Sequence, residues 1–597
     1  MSQKYSVNQH LIETLLAWVK SGEIAIPEIQ RPFVWDATQV RDLLDSLYQG
    51  YPVGYIIAWK NPTVKLKDGT LSEGKKILID GQQRVTALTA ALLGKYVIDK
   101  TYDRIKIKIS FNPISEKFEV QNPAIIKDKT WLPDISDAVN GTQSILKLVR
   151  HYLELNPGVD EDQVERSFTI LTDIPKKQIG IIELASELDI ETVTEIFIRI
   201  NSKGVVLSQA DFAMSKIASN TLYDGNLLRK AIDYFCHLAI SPEFHKHIED
   251  HDKEFVNTEF FNKISWLKKE VDDLYDPEYT DLIKVAFTSQ FNRGKLSDLV
   301  SLLSGRNFET RTYEEHIAEE SFSKLKNGVL NFVNETNFKR FLMIIKSSGF
   351  ISNKLVRSQN ALNFAYIVYL KLKELGVSDI KIGSYVPRWF VFSILTGRYS
   401  GSAESVFDFD IKQIASKDFG QILSEYEAAE LSDAFWNFSL PQSLDTPVAS
   451  SPYFNVYLAA QVKANDKGFL SKDVLVSNLI ELRGDIHHLF PKDYLKKNGL
   501  ERGMYNQIAN YVYMQSEINI KVGNKPPEEY FNKILNEMET QTNTLSGISN
   551  LSELENNLSI NCIPKEIISM KIDNYESFLT SRRRLMADKM KEYYFSL

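Results

Sequence analysis

Two adjacent histidines, His487 and His488, precede Leu489-Phe490-Pro491, and two asparagines nine residues apart, Asn510 and Asn519, follow. A neutral imidazole, with an ordinary pKa of about 6.5, takes a proton near neutral pH. A second imidazole or an amide can serve as a metal donor, and a third polar side chain can hold the geometry. Base, metal ligand and positioner are what a one-metal phosphodiesterase needs, which points to a nuclease centre. By itself a His-His pair reads as a core or surface feature near a strand end. The ordered set with Pro491, Asn510 and Asn519 is what carries the chemistry.

A second chemical segment lies near the N-terminus. The apolar run Lys76-Ile77-Leu78-Ile79 enters Asp80-Gly81-Gln82-Gln83-Arg84, and Val85 to Leu93 continues as a helical pattern. A strand, a glycine turn and a helix start present backbone N–H groups and a helix dipole to an anion. Arg84 adds a bidentate phosphate contact, and Asp80 can hold a metal or orient Arg84. The plainer alternative is a helix-entry turn with a capping Asp and a surface Arg. The segment is not a Walker loop, since the Gly-Lys-Ser/Thr ending is missing.

Other clusters weigh less. In the cluster of His245, His247 and His251, a helix could place His247 and His251 on one face at zinc-helix spacing, but the run is polar and lacks a Glu directly after His247, so a solvated helix end is expected. Arg582-Arg583-Arg584 with Lys589 and Lys591 reads either as a phosphate clamp or as a solvated basic helix. The aromatic run around Trp389, Phe390 and Phe392 is expected to be core.

The elements that position these residues follow from periodicity. Leu11 to Val19 and Thr38 to Tyr48 read as helices, the second with Asp36 or a neighbour as N-cap. Tyr55 to Trp59, Lys76 to Ile79, Ile105 to Phe111 with partner Lys117 to Val120, and Ile179 to Leu184 read as strands. Trp131 to Ile174 reads as a helical insertion, and Ile190 to Ile200 as a helix delivering Arg199-Ile200-Asn201-Ser202-Lys203-Gly204. The middle is dominated by helical periodicity, including Phe255 to Val271 and Tyr279 to Phe291. Leu475 to Leu482 is expected as a helix, Asp485 to Leu489 as a short strand, then a hairpin and a helix.

Length and composition bound the class. The chain has 597 residues, 43% hydrophobic and 25% charged, more than one core usually supports, so several domains are expected. Its formal charge of −8 excludes a surface uniformly coated with positive charge. Locally, residues 481–533 hold eight basic and seven acidic side chains, a small shift towards a DNA backbone partner. Two cysteines, Cys236 and Cys562, exclude a disulfide framework and a Cys-ligated zinc site. No signal-peptide core and no membrane-length apolar run are visible, so a cytoplasmic protein with no membrane partner is expected.

Ile26-Pro27-Glu28-Ile29-Gln30-Arg31-Pro32-Phe33-Val34-Trp35 and Asp80-Gly81-Gln82-Gln83-Arg84 together resemble the signature of the N-terminal domain of GmrSD-type, modification-dependent restriction enzymes. That domain is similar to the ParB and sulfiredoxin nucleotide-binding fold. The resemblance implies a nucleoside triphosphate, GTP or ATP, bound and hydrolysed by Gln30, Arg31, Asp80, Gly81, Gln82, Gln83 and Arg84. Arg199 and Asn201 resemble a third motif of the family and would line the same cleft; a helix C-cap explains them equally well.

His487-His488-Leu489-Phe490-Pro491, Asn510 and Asn519 resemble the ββα unit of His-Me finger nucleases of the HNH type, which GmrSD-type enzymes carry at their C-terminus. On that resemblance His488 is the general base, and His487 with Asn519 holds Mg²⁺ or Mn²⁺. Asp485 competes with His487 as first ligand, because a carboxylate suits a hard cation better. Asn510 orients the base or the hairpin, and Asn506 is a weaker candidate.

The expected fold is mixed and predominantly α: a ParB/sulfiredoxin-like α/β domain over 1–225, a helical body over 226–440 and a helical HNH-containing domain over 441–597. The resemblance implies an anti-phage defence endonuclease and NTPase acting on double-stranded, modified or phage DNA. A homodimer or partner defence proteins remain open. The alternative is a nucleotide-responsive DNA-binding switch whose HNH unit does not cut, which His487 in place of the usual acidic ligand would favour.

Overall fold

The computed structural model describes residues 4–21, 23–25, 35–60, 76–98, 104–140, 144–185, 188, 192–193, 196, 209–220, 222–270, 272–481, 486–542 and 545–597. The chain divides into two compact units, Met1–Arg229 and Lys230–Leu597. The segments expected as helical body and nuclease domain fall, from Lys230 on, in the second unit. Helix predominates, with an α/β region at the N-terminus, as the sequence predicts. Among the described residues no helix is long and apolar enough to cross a membrane.

The first unit is built on a five-stranded mixed sheet. Its strands are β1 (Tyr5–Leu11), β2 (Ile24–Ala25), β3 (Tyr55–Lys60), β4 (Lys76–Asp80) and, after two hairpins, β9 (Gln178–Leu184). The order is β1-β9-β3-β4-β2, with β9 and β3 parallel and β4 antiparallel to β3. Alternation along β3 serves two cores. Ile56 and Ala58 pack with helices α1 (Ile12–Ser21), α2 (Ala37–Tyr48) and α3 (Gln82–Leu93), while Ile57 and Trp59 join Leu184 and Val193. Each buried Leu or Val of α3 (Val85, Leu88, Leu92) contributes about 2 kcal/mol of burial. That apolar stripe holds the Asp80 to Arg84 turn at the sheet edge of the helix.

Asp36 caps α2 as expected: its carboxylate accepts from Gln39 N at 2.8 Å, and the Gln39 side chain accepts from Asp36 N at 3.0 Å. The hairpins are β5 (Tyr96–Ile98) with β6 (Arg104–Lys106), and β7 (Ile109–Asn112) with β8 (Lys117–Val120). The single strand expected over Ile105 to Phe111 is therefore two strands paired to different partners. The expected helix over Ile190 to Ile200 lies almost wholly outside the described residues.

In the second unit, helices Tyr279–Phe291, Gln359–Glu374 and Asp379–Leu395 form a dense centre. Trp389, Phe390 and Phe392 are fully enclosed, which makes the aromatic run core. The helix expected over Phe255 to Val271 is broken into Lys253–Val256, Glu259–Ile264 and a 3-10 turn Ser265–Lys269, because Asp252 and Thr258 each cap a new start.

Candidate functional site

Strand β10 (Ile486–His488) pairs antiparallel with β11 (Tyr511–Tyr513), setting His487 opposite Val512 and His488 opposite Tyr511. Two short helices, α4 (Lys492–Lys497) and Arg502–Tyr505, intervene, and α5 (Ser516–Val522) follows β11. The strands are joined through helices, not by the direct hairpin expected. Lys492 to Lys497 is short, and its helical period was too brief to read.

Asn510 is fully buried between the two strands. Its Oδ1 accepts from Phe490 N at 2.8 Å, and its Nδ2 donates to Phe490 O at 3.1 Å and Tyr505 O at 3.3 Å. Its own carbonyl accepts from Leu489 N at 2.8 Å. Both arms of the amide are used on backbone, so Asn510 staples the strand exit and positions the hairpin, not the base. Phe490, fully buried, packs on Tyr575 and Phe578, with ring centroids 5.2 and 5.1 Å away. Leu489 O accepts from Tyr530 OH at 3.1 Å. His488 thus sits one residue before a segment fixed on every side.

The His488 ring is half-buried, edge-on to Tyr511 at 5.1 Å, with Nε2 at 3.0 Å from Asn506 Oδ1. Burial pushes its imidazole below the ordinary value; the Asn506 bond opposes this, and the charges of Lys492 and His487 add to it. The ring is therefore neutral at pH 7 and able to accept a proton. His487 is buried, and strand alternation sends it to the opposite face from His488. Asn519, on α5, is half-buried. Asp485 lies outside the described residues.

Among the described residues there is no group of three or more His, Cys, Asp and Glu side chains suited to a metal ion. His487 and Asn519 are an imidazole and an amide, neutral donors. They fit a cation held largely by water and substrate phosphate, and Mn²⁺ better than Mg²⁺, which demands oxygen ligands. The same result covers His245, His247 and His251: the last two stack at 4.2 Å, and His251 Nδ1 bonds the His247 carbonyl at 3.0 Å.

The basic helix α6 (Tyr575–Phe595) is neither a phosphate clamp nor a solvated basic face. Arg582 is fully buried, its guanidinium donating to Ala509 O and Tyr511 O, both at 2.8 Å, and to Asn561 O at 3.2 Å. Arg583 pairs with Asp445 at 2.6 Å, Lys589 with Asp466 at 2.5 Å and Lys591 with Asp433 at 3.0 Å; only Arg584 of the triplet is exposed. Sequence reasoning missed that Arg582 braces β11. The signal was there: Phe578, Arg582, Met586 and Met590 follow one another at helical spacing on an apolar face. Nothing in the sequence marks the Asn506 to His488 bond.

At the other end of the chain, Asp80 closes β4 opposite Ile57, where the β3–β4 register is irregular. Gly81 turns into α3 at φ +91°, and a Cβ there would lie 3.0 Å from Ile56 Cγ1. Gln83 Oε1 accepts from Trp35 N at 3.3 Å, tying the helix start to the end of the Gln-Arg-Pro motif. Arg84 Nη1 donates to Tyr55 O at 2.6 Å, and its guanidinium lies against Gly54, where a Cβ would come within 3.1 Å of Nη2. One edge of Arg84 is thus occupied by backbone. Gly81 has no side chain to cap α3, so the helix start offers its dipole uncapped by the residue before it. Gln30, Arg31, Arg199 and Asn201 lie outside the described residues.

Residues 12–218 match the family model described as the GmrSD restriction endonuclease, N-terminal domain. An uncharacterized protein of Methanocaldococcus jannaschii is 22% identical, covering 98% of this chain and 99% of its own. That similarity runs through both units, while the family match stops short of His487 and His488. Residues 12–218 are thus similar to the N-terminal domain of GmrSD restriction endonucleases.

Proposed function

We propose that the protein is a metal-dependent DNA endonuclease of anti-phage defence, cutting modified or foreign double-stranded DNA with His488 as general base in an HNH-type unit. The observation that carries this is the neutral, half-buried His488, oriented by Asn506 and set on a strand pair stapled by Asn510. The Mg²⁺ or Mn²⁺ ion, held by His487 and Asn519 with Asp485 as the alternative ligand, would neutralise charge on the phosphate and the leaving oxygen. His488 draws a proton from water, and Lys492 and Lys496, exposed beside it and lying over Tyr505 at 5.8 and 5.7 Å, offer charge to the DNA backbone.

Cleavage in this proposal is coupled to a nucleoside triphosphate, GTP or ATP, bound at Asp80, Gly81, Gln82, Gln83 and Arg84, with Gln30, Arg31, Arg199 and Asn201 facing the same cleft. Support comes from Gly81, which brings no capping side chain to the start of α3, and from the Gln83 bond that joins the two motifs. The test is cutting of unmodified plasmid and modified phage DNA, with Mg²⁺ or Mn²⁺ and with or without GTP or ATP. His488→Ala should abolish cutting and leave the gel shift of DNA intact; cutting retained in that variant would refute the role. Mn²⁺ should support faster cutting than Mg²⁺. A second proposal, a nucleotide-responsive DNA-binding switch that does not cut, draws on the neutral donor set at His487 and Asn519. Metal-independent DNA binding with no cleavage by the wild-type chain is what it expects.

A further inference from the structure

The base histidine touches a side chain that neither binds a metal nor staples the strands. Asn506 Oδ1 lies 3.0 Å from His488 Nε2. An amide oxygen only accepts, so Nε2 carries the hydrogen and Nδ1 keeps its lone pair. We infer that Asn506 is a positioning residue that holds His488 as the Nε2–H tautomer, leaving Nδ1 as the nitrogen that takes the proton from water; this rests on the nuclease reading of His488.

The chemistry of the bond suits a base. When Nδ1 receives a proton, both ring nitrogens become donors, and an amide oxygen on Nε2 keeps its bond through the change. An amide N–H on Nε2 would serve the neutral ring and lose its partner at the moment of proton transfer. In the step itself the water O–H bond breaks, its proton goes to Nδ1 and its electron pair stays on oxygen. That oxygen bonds to phosphorus, the P–O bond to the leaving group breaks, and the leaving oxygen keeps the pair and is protonated by solvent.

Asn506 is delivered by a loop fixed at each neighbouring residue. Its own N–H donates to Arg502 O at 3.2 Å, and Ile508 N donates to Thr446 O at 3.0 Å. Tyr505 O accepts from Asn510 Nδ2 at 3.3 Å and from Tyr575 OH at 3.4 Å, and Met504 O accepts from Tyr575 OH at 3.0 Å. From the other side the ring of Tyr511 meets the imidazole at 87°, which sets the plane of the ring. The loop that carries Asn506 and the strand that carries His488 share the Asn510 staple, so their spacing is fixed by one buried side chain.

The experiment is nitrogen NMR of the metal-free full chain labelled in its histidine rings, with the His488 signals assigned by their loss in His488→Ala. The expected wild-type pattern is Nε2 protonated and Nδ1 bare. Asn506→Ala should give a mixture of tautomers and lower kcat for DNA about 10- to 100-fold with KM unchanged. Asn506→Asp, which keeps an accepting oxygen, should preserve the Nε2–H pattern and most of kcat. A wild-type ring protonated on Nδ1, or an Asn506→Ala chain with wild-type tautomer and kcat, would overturn the inference while leaving the nuclease standing. Absence of cutting by the wild-type chain under every metal and nucleotide condition would instead overturn the nuclease reading, and with it any catalytic role for Nδ1.

Discussion

Asn510 spends three hydrogen bonds on backbone from a fully buried position. Asn510→Ala leaves the Phe490 N–H and two carbonyls without that partner, and should cost the second unit about 2–3 kcal/mol and remove cleavage. Urea unfolding of the two proteins side by side measures it; a difference below about 0.5 kcal/mol would contradict the staple. At the other end, Gly81→Ala forces a side chain into φ +91° and against Ile56, so a loss of about 1–2 kcal/mol and weaker nucleotide binding are expected. Titration calorimetry with GTP or ATP reads the second effect. His488 and Asn510 were legible because their significance is in local order: residue type, a proline three positions after His488, a fixed spacing. Asn506 was only a weaker candidate, because its meaning is a bond to a residue 18 positions away with no period to announce it.

Helix α6 shows what a single element can hide. Its arginines read as a basic face, yet Arg582 points inward and meets three carbonyls with no carboxylate among its hydrogen-bond partners. Burial pushes its guanidinium down from the ordinary value, with Tyr457 and Cys562 opposing the shift, and its N–H groups are satisfied by backbone carbonyls. Arg582→Lys keeps the charge but cannot fork to Ala509 and Tyr511, and should cost about 3 kcal/mol and abolish cutting. Unfolding and DNA cleavage assays check both, with nucleotide binding at residues 1–229 as the control that should not change. Elements with strong periods and caps were legible: Tyr279–Phe291 falls where the pattern put it, and Asp36 caps α2 as its type foretold. Ile105 to Phe111 was not, since a continuous apolar alternation cannot show that its two ends pair with different strands.

For the molecule as a whole, stability should depend on pH through His237, which is buried and stacked on Phe244 at 3.6 Å. Burial pushes its imidazole down to about 4, with a smaller contribution from His247. The folded value lies below the unfolded one of about 6.5, so this contribution is fully present above pH 6.5 and is lost as pH falls from about 6.5 to 4. The loss amounts to about 3 kcal/mol. Urea midpoints at pH 7 and 4.5 should reveal it, and His237→Phe should flatten the slope; an unchanged slope in the variant would count against the assignment. The α/β and helical classes of the two units were legible from composition and period, and the division at Arg229 lies beside the end expected at 225 for the α/β domain, with contacts and not a local pattern setting the residue. The brace on β11 also sets an order of events in the cell. A ribosome that has passed His488 and Tyr513 has made every residue of the strand pair, but not the arginine at position 582 that holds it. On the proposed nuclease reading, a truncated or still-growing chain therefore carries a blade without its handle, and cutting is expected only once synthesis has passed that codon.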